Sequence, residues 1–155
     1  MKRSEINRSI KKAKYFFKKI NFLLPPWAFW KPEQWKGKYN ECSEIMDNKL
    51  GLDITDFGLG KFMEKSLLLF TIKNGNPKIN DKTYAEKIML AEEDQVTPMH
   101  YHKNKMEDII NRGGADLVIQ LYNLSCLFIY LFQTIKTICK RKNHGNLRPW
   151  MLITG

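Results

Sequence analysis

Two histidines one residue apart, His100 and His102, are followed by Glu107 and by the pair Gly113-Gly114 in the stretch PMHYHKNKMEDIINRGG. Imidazole nitrogens and a carboxylate suit a divalent first-row metal, and three such donors leave coordination positions for water or substrate. In an extended strand side chains two apart share a face, so His100 and His102 point together, with Tyr101 on the other side. A turn over Lys103 to Met106 then returns Glu107 on an adjacent antiparallel strand, within reach of both imidazoles. Asp108 alternates away from Glu107 and reads as structural. Arg112-Gly113-Gly114 supplies the next turn, where glycine accepts a positive φ. A His-x-His pair alone is more often a surface feature; the glutamate and glycines at these spacings shift the reading toward metal. The only later histidine, His144, stands in the basic stretch KRKNHGNL and reads as a solvated residue rather than a ligand.

Other elements must hold this stretch in place. A helix is expected over residues 4–20, with Ser4 as N-cap and Ile6, Ile10, Ala13, Phe17 and Ile20 at helical spacing. The lysines of KKAKYFFKK fall mostly off that stripe and read as solvated, in preference to a membrane-surface helix. Pro25 and Pro26 end the helix. PPWAFWKPEQW then concentrates three of the four tryptophans in an irregular segment suited to packing against a neighbour. From about residue 45 short runs broken by turn residues predict an antiparallel β meander, sandwich or barrel. SLLLFTIKNGNPK reads as a strand entering an Asn-Gly turn. TYAEKIML alternates, with Ala85, Lys87 and Met89 on one face and Tyr84, Glu86 and Ile88 on the other. Past Asn123 the texture changes: the remainder reads as an apolar helix followed by a basic tail, not as more of the meander.

At 155 residues the chain is long enough for one domain with its own core. Its net charge of +10 is uneven. No acidic residue follows Asp116, while Lys136, Lys140, Arg141, Lys142 and Arg148 supply half of the excess. Without interleaved aromatics or a reading helix, nucleic-acid binding is not expected. Three cysteines, an odd number without framework spacing, fit free thiols in a reducing cytoplasm. The most apolar run, LFIYLF, is too short to cross a bilayer, and the N-terminus lacks a signal-peptide pattern.

The spacing of His100, His102, Glu107 and Gly114 resembles the first motif of the cupin superfamily. That motif usually carries a further glycine six residues before the first histidine, where Asp94 stands here. With LPPWAFWKPEQW, KLGLDITDFGLGKF, LFTIKNG, YAEKIM and IQLYN included, residues 1 to about 123 resemble the D-lyxose isomerase family of cupin sugar isomerases. The resemblance implies a mainly β, jelly-roll barrel with an N-terminal helix and a divalent metal, Mn2+ foremost, held by three histidines and a glutamate. It implies interconversion of D-lyxose with D-xylulose, or D-mannose with D-fructose, by proton transfer through a cis-enediol. His100, His102 and Glu107 match three ligands. Lys87, in the matching AEK, is the candidate catalytic group facing the sugar. Glu86 alternates away from Lys87 and is disfavoured as the base. Family barrels commonly pair, so a homodimer is expected if the barrel completes.

Family members continue to a second motif, a Pro-x-Gly turn followed by the fourth ligand, which is missing here. The chain therefore divides into an N-terminal part of a cupin domain, residues 1–123, and a divergent basic tail, residues 124–155. A truncation or reading-frame change accounts for that break, and it implies an incomplete barrel and a weakly active or inactive enzyme. The alternatives are a non-enzymatic fragment or basic binding protein, and a cupin dioxygenase holding iron on the same ligands.

Overall fold

A computed structural model of the chain describes residues 2–76, 78–79, 81–101, 106–113, 115–123, 133–140 and 151–154. It combines helices at the N-terminal end with antiparallel sheet, in two compact units: Met1–Ile54 with Leu68–Ile88, and Thr55–Leu67 with Met89–Gly155.

The first unit opens with helix α1, Arg3–Lys19, one residue earlier than the predicted span. Ser4 is not the N-cap. Lys2 takes that place, and its backbone N–H donates to the Glu5 carboxylate at 2.7 Å, so an acidic side chain satisfies an orphan donor of the first turn. Ala13, Phe16 and Phe17 are buried, as is Ser9. Ile20 is exposed, because the helix ends before it reaches the core face. Lys11, Lys18 and Lys19 lie in solvent, and the Lys14 ammonium sits 4.7 Å from the centre of the Phe29 ring.

The tryptophan segment forms a 3-10 turn, Pro26–Phe29, and a short helix α2, Pro32–Trp35, each with proline in its first turn. It packs on a neighbour as expected: the Trp27 ring stacks on Phe70 at 5.4 Å and meets Trp35 edge-on at 6.4 Å. Helix α3, Tyr39–Asp47, follows, with Tyr39, Cys42, Ile45 and Met46 at helical spacing and Cys42 buried. Sheet begins only at β1, Gly51–Thr55, then β2, Leu67–Asn74, and β3, Ala85–Ala91, whose residues up to Ile88 belong to this unit. Alternation in β3 is as read: Ile88 and Leu90 are buried on the face that also carries Glu86. Glu86 pairs with Lys73 of β2 at 3.4 Å.

Asn74-Gly75 does not make a two-residue hairpin. Gly75 N–H donates to Tyr84 O at 3.0 Å and closes a longer loop, and the glycine's φ is not positive. Glycine is needed there for close approach, since a Cβ would stand 1.9 Å from the Lys82 carbonyl oxygen. Backbone cannot yield as a flexible side chain can. Gly75→Ala is therefore expected to destabilise the chain by about 1–3 kcal/mol, read from its urea midpoint.

The second unit carries β4, Val96–Tyr101, β5, Ile110–Gly113, β6, Asp116–Asn123, β7, Gln133–Lys140, and β8, Met151–Thr154. β7 lies between β4 and β6 and pairs antiparallel with both; β8 pairs antiparallel with β5. The expected helical tail is thus overturned for residues 133–140 and 151–154. QTIKTICK holds two threonines and two isoleucines in eight residues, and such β-branched side chains favour strand over helix. Nor does the composition shift at residue 123 break the sheet, because β6 and β7 are in register along all eight residues. The CLFIYLF run lies outside the described residues. Within this unit Ala91 and Ala115 are buried, with Met89, Ile109 and Leu117 packed against them. No helix among the described residues is long and apolar enough to cross a membrane.

Candidate metal centre

β4 is extended through His100, as the sequence predicts, but it is not regular. Val96 and Thr97 face Ile138 and Thr137 of β7, whereas His100 and Tyr101 face Ile135 and Thr134. Three steps along β4 match two along β7, so one extra residue sits at Pro98-Met99. The cause is chemical: proline has no N–H to give the ladder and is tolerated in a strand at a bulge. The Pro98 carbonyl is used locally instead, lying 2.9 Å from Nδ1 of the half-buried His100 ring. A carbonyl oxygen only accepts, so in this contact Nδ1 is the donor. Metal-bound histidines are commonly set up in this way, with one ring N–H tied to a carbonyl and the other nitrogen offered to the ion.

The turn into β4 explains the departure at Asp94. Its φ is +59°, in the left-handed region that glycine occupies without penalty and aspartate tolerates better than most residues. Gln95 N–H donates to Glu92 O at 3.1 Å across the same turn.

Glu107 is not placed as predicted. Met106 to Ile109 form no regular element, strand begins only at Ile110, and β5 pairs with β8 rather than with β4. The hairpin between the histidine strand and a glutamate strand is therefore corrected: among the described residues Glu107 lies in no strand, and β4 pairs with β7. Glu107 is half-buried and Asp108 exposed. Asn111 holds the chain beyond them. Its Oδ1 accepts the Gly113 N–H and its Nδ2 donates to Ala115 O, both at 2.9 Å, while Gly113 takes the expected positive φ, +123°. Asn111→Ala removes both bonds and is expected to cost about 1–2 kcal/mol in denaturant unfolding. Gly114 lies outside the described residues.

His102, Lys103 and His144 also lie outside them. Among the described residues no three His, Cys, Asp or Glu side chains gather into a metal-binding group. Lys87 is half-buried in the first unit, on the face of β3 opposite Glu86. Three contributors were missed in the sequence. The bulge was signalled by a proline inside a strand pattern. Gln95 and Ser66, both buried and hydrogen-bonded, had no signal in their spacing.

Residues 1–126 match the family model described as D-lyxose isomerase. The D-lyxose/D-mannose isomerase of Serratia proteamaculans is 46% identical over 126 residues, covering 79% of this chain and 55% of that protein. The D-lyxose/D-mannose isomerase of Escherichia coli O157:H7 is likewise 46% identical over 126 residues, covering 79% of this chain and 56% of its own. The chain thus spans about half the length of the curated relatives it matches.

Proposed function

Because the chain belongs to the D-lyxose isomerase family, we propose that it carries the N-terminal part of a metal-dependent aldose–ketose isomerase site. The substrates are D-lyxose and D-xylulose, with D-mannose and D-fructose as the hexose pair. The observation that carries the metal reading is the His100 ring, whose Nδ1–H is committed to Pro98 O. An imidazole anchored through Nδ1 to a carbonyl is the arrangement common to histidines that bind a metal through Nε2, so the residue fits the group the family implies.

His100, His102 and Glu107 would hold the ion, Mn2+ foremost. When bound, it supplies Lewis-acid polarisation of the sugar's C1 and C2 oxygens. Lys87 is assigned to those oxygens on the family pattern, where its ammonium donates hydrogen bonds to the charge that develops in a cis-enediolate. A base moves the proton between C1 and C2, and neither Glu86 nor Asp108 is assigned that role: Glu86 is tied to Lys73, and Asp108 is exposed. We read the antiparallel strands as part of a cupin-type barrel, which pairs as a homodimer if completed. The odd cysteine number supports a cytoplasmic setting.

The family match ends at residue 126, within three residues of the composition shift, which supports a reading-frame change as the origin of the tail. Sequencing the encoding DNA tests this; an uninterrupted frame in close relatives continuing into the same tail removes it. For function, the test is Mn2+ content and D-lyxose turnover of the purified 155-residue chain. Stoichiometric metal with slow turnover is the expected result. No metal uptake, together with strongly salt-dependent RNA binding, would favour a basic binding protein instead.

A further inference from the structure

The start of β4 is bolted to a loop by a buried glutamine. Gln95 is 4% exposed and Ser66 1% exposed, and the Gln95 amide nitrogen donates to the Ser66 hydroxyl and, at 3.1 Å, to Phe62 O. Its amide oxygen accepts Glu92 N–H at 2.8 Å. The next residue, Val96, donates its backbone N–H to Glu64 O at 2.9 Å. Three residues of one loop, Phe62, Glu64 and Ser66, are thereby joined to Gln95 and Val96, where the chain enters β4. All of these groups belong to the second unit.

Burying a primary amide and a hydroxyl is unfavourable unless their hydrogen bonds are met, and an apolar pair would serve a plain core better. What the amide provides is direction. It fixes the height and rotation of β4 just before Pro98 removes the ladder's own restraint. Beyond the bulge, Nδ1 of the His100 ring lies 2.9 Å from Pro98 O. We propose that Gln95, with Ser66, is a positioning residue that sets the tautomer and aim of His100 toward the metal; the metal part of this rests on the isomerase reading.

The test separates the two. Ring-nitrogen NMR of the metal-free protein, with histidine signals assigned by substitution, reports the His100 tautomer directly. Wild type is expected to show the Nδ1–H form, while Gln95→Met and the milder Ser66→Ala move the signals toward a tautomer average. The same variants should bind Mn2+ about 10-fold more weakly, the size typical of losing support around a ligand. Gly75→Ala, which destabilises the first unit, should leave the His100 signals unchanged. His100 signals identical to wild type in Ser66→Ala and in any folded Gln95→Met would overturn the proposal. A tautomer change in the variants, when the wild-type chain takes up no Mn2+, would sink the isomerase reading and leave the positioning role standing.

Discussion

Ending the chain after residue 126 is expected to abolish Mn2+ uptake and the ordered sheet of the second unit, although every residue of the family match is kept. The reason lies in the pairing. The described neighbour of β4 is β7, the neighbour of β6 is also β7, and β5 pairs with β8. Both β7 and β8 lie beyond the match. Removing them leaves the backbone donors and acceptors of Val96–Tyr101 and Asp116–Asn123 without their ladders, and lone strands are not stable in water. Far-UV circular dichroism and a Mn2+ titration of residues 1–126 beside the whole chain would check this. Equal strand signal and equal affinity in the two would show that the tail contributes nothing.

His100→Ala is expected to weaken Mn2+ binding by at least about 100-fold, more than losing a supporting group, because a ligand itself is removed. Any D-lyxose turnover should disappear with it. His144→Ala should change neither, since His144 reads as a solvated residue of a basic stretch. The comparison discriminates a built centre from adventitious binding to exposed imidazoles: in the latter case the two substitutions would have similar, small effects. Isothermal titration of both variants at one pH is sufficient, provided each retains the wild-type circular dichroism.

Much of this was legible in the residues. Helical spacing predicts α1 to within a residue, alternation predicts a strand with Glu86 and Ile88 on one face, and the tryptophans in an irregular segment predict packing on a neighbour. What escaped depends on partners distant in sequence. A turn long enough to bring Glu107 back does not say that β7 will lie beside β4 instead. Helix α3 is only nine residues long with a non-helical backbone at Cys42, and its C-terminal end is tied down by Asn74, whose side chain donates to Asn48 O at 2.9 Å. The tail was misread because loss of acidic residues marks a change of composition, whereas strand formation follows β-branching and available neighbours. Asp94 shows the converse. The residue stands where the resemblance expects glycine, and its own φ is positive.

β6 has one more consequence. Val118 is 43% exposed, Ile119 37% and Leu121 54%, so water reaches both of its faces, and it is the outer strand of its sheet. A strand normally stores its alignment in the contrast between a dry side and a wet side, since slipping by one residue would turn the dry set outward. β6 has little such contrast, so a slip against β7 costs little burial. β7 is also the strand against which β4 is measured. The level of His100 in its sheet is thus referenced to a ruler with faint markings, and the first disorder expected on warming is a shift of scale between intact strands.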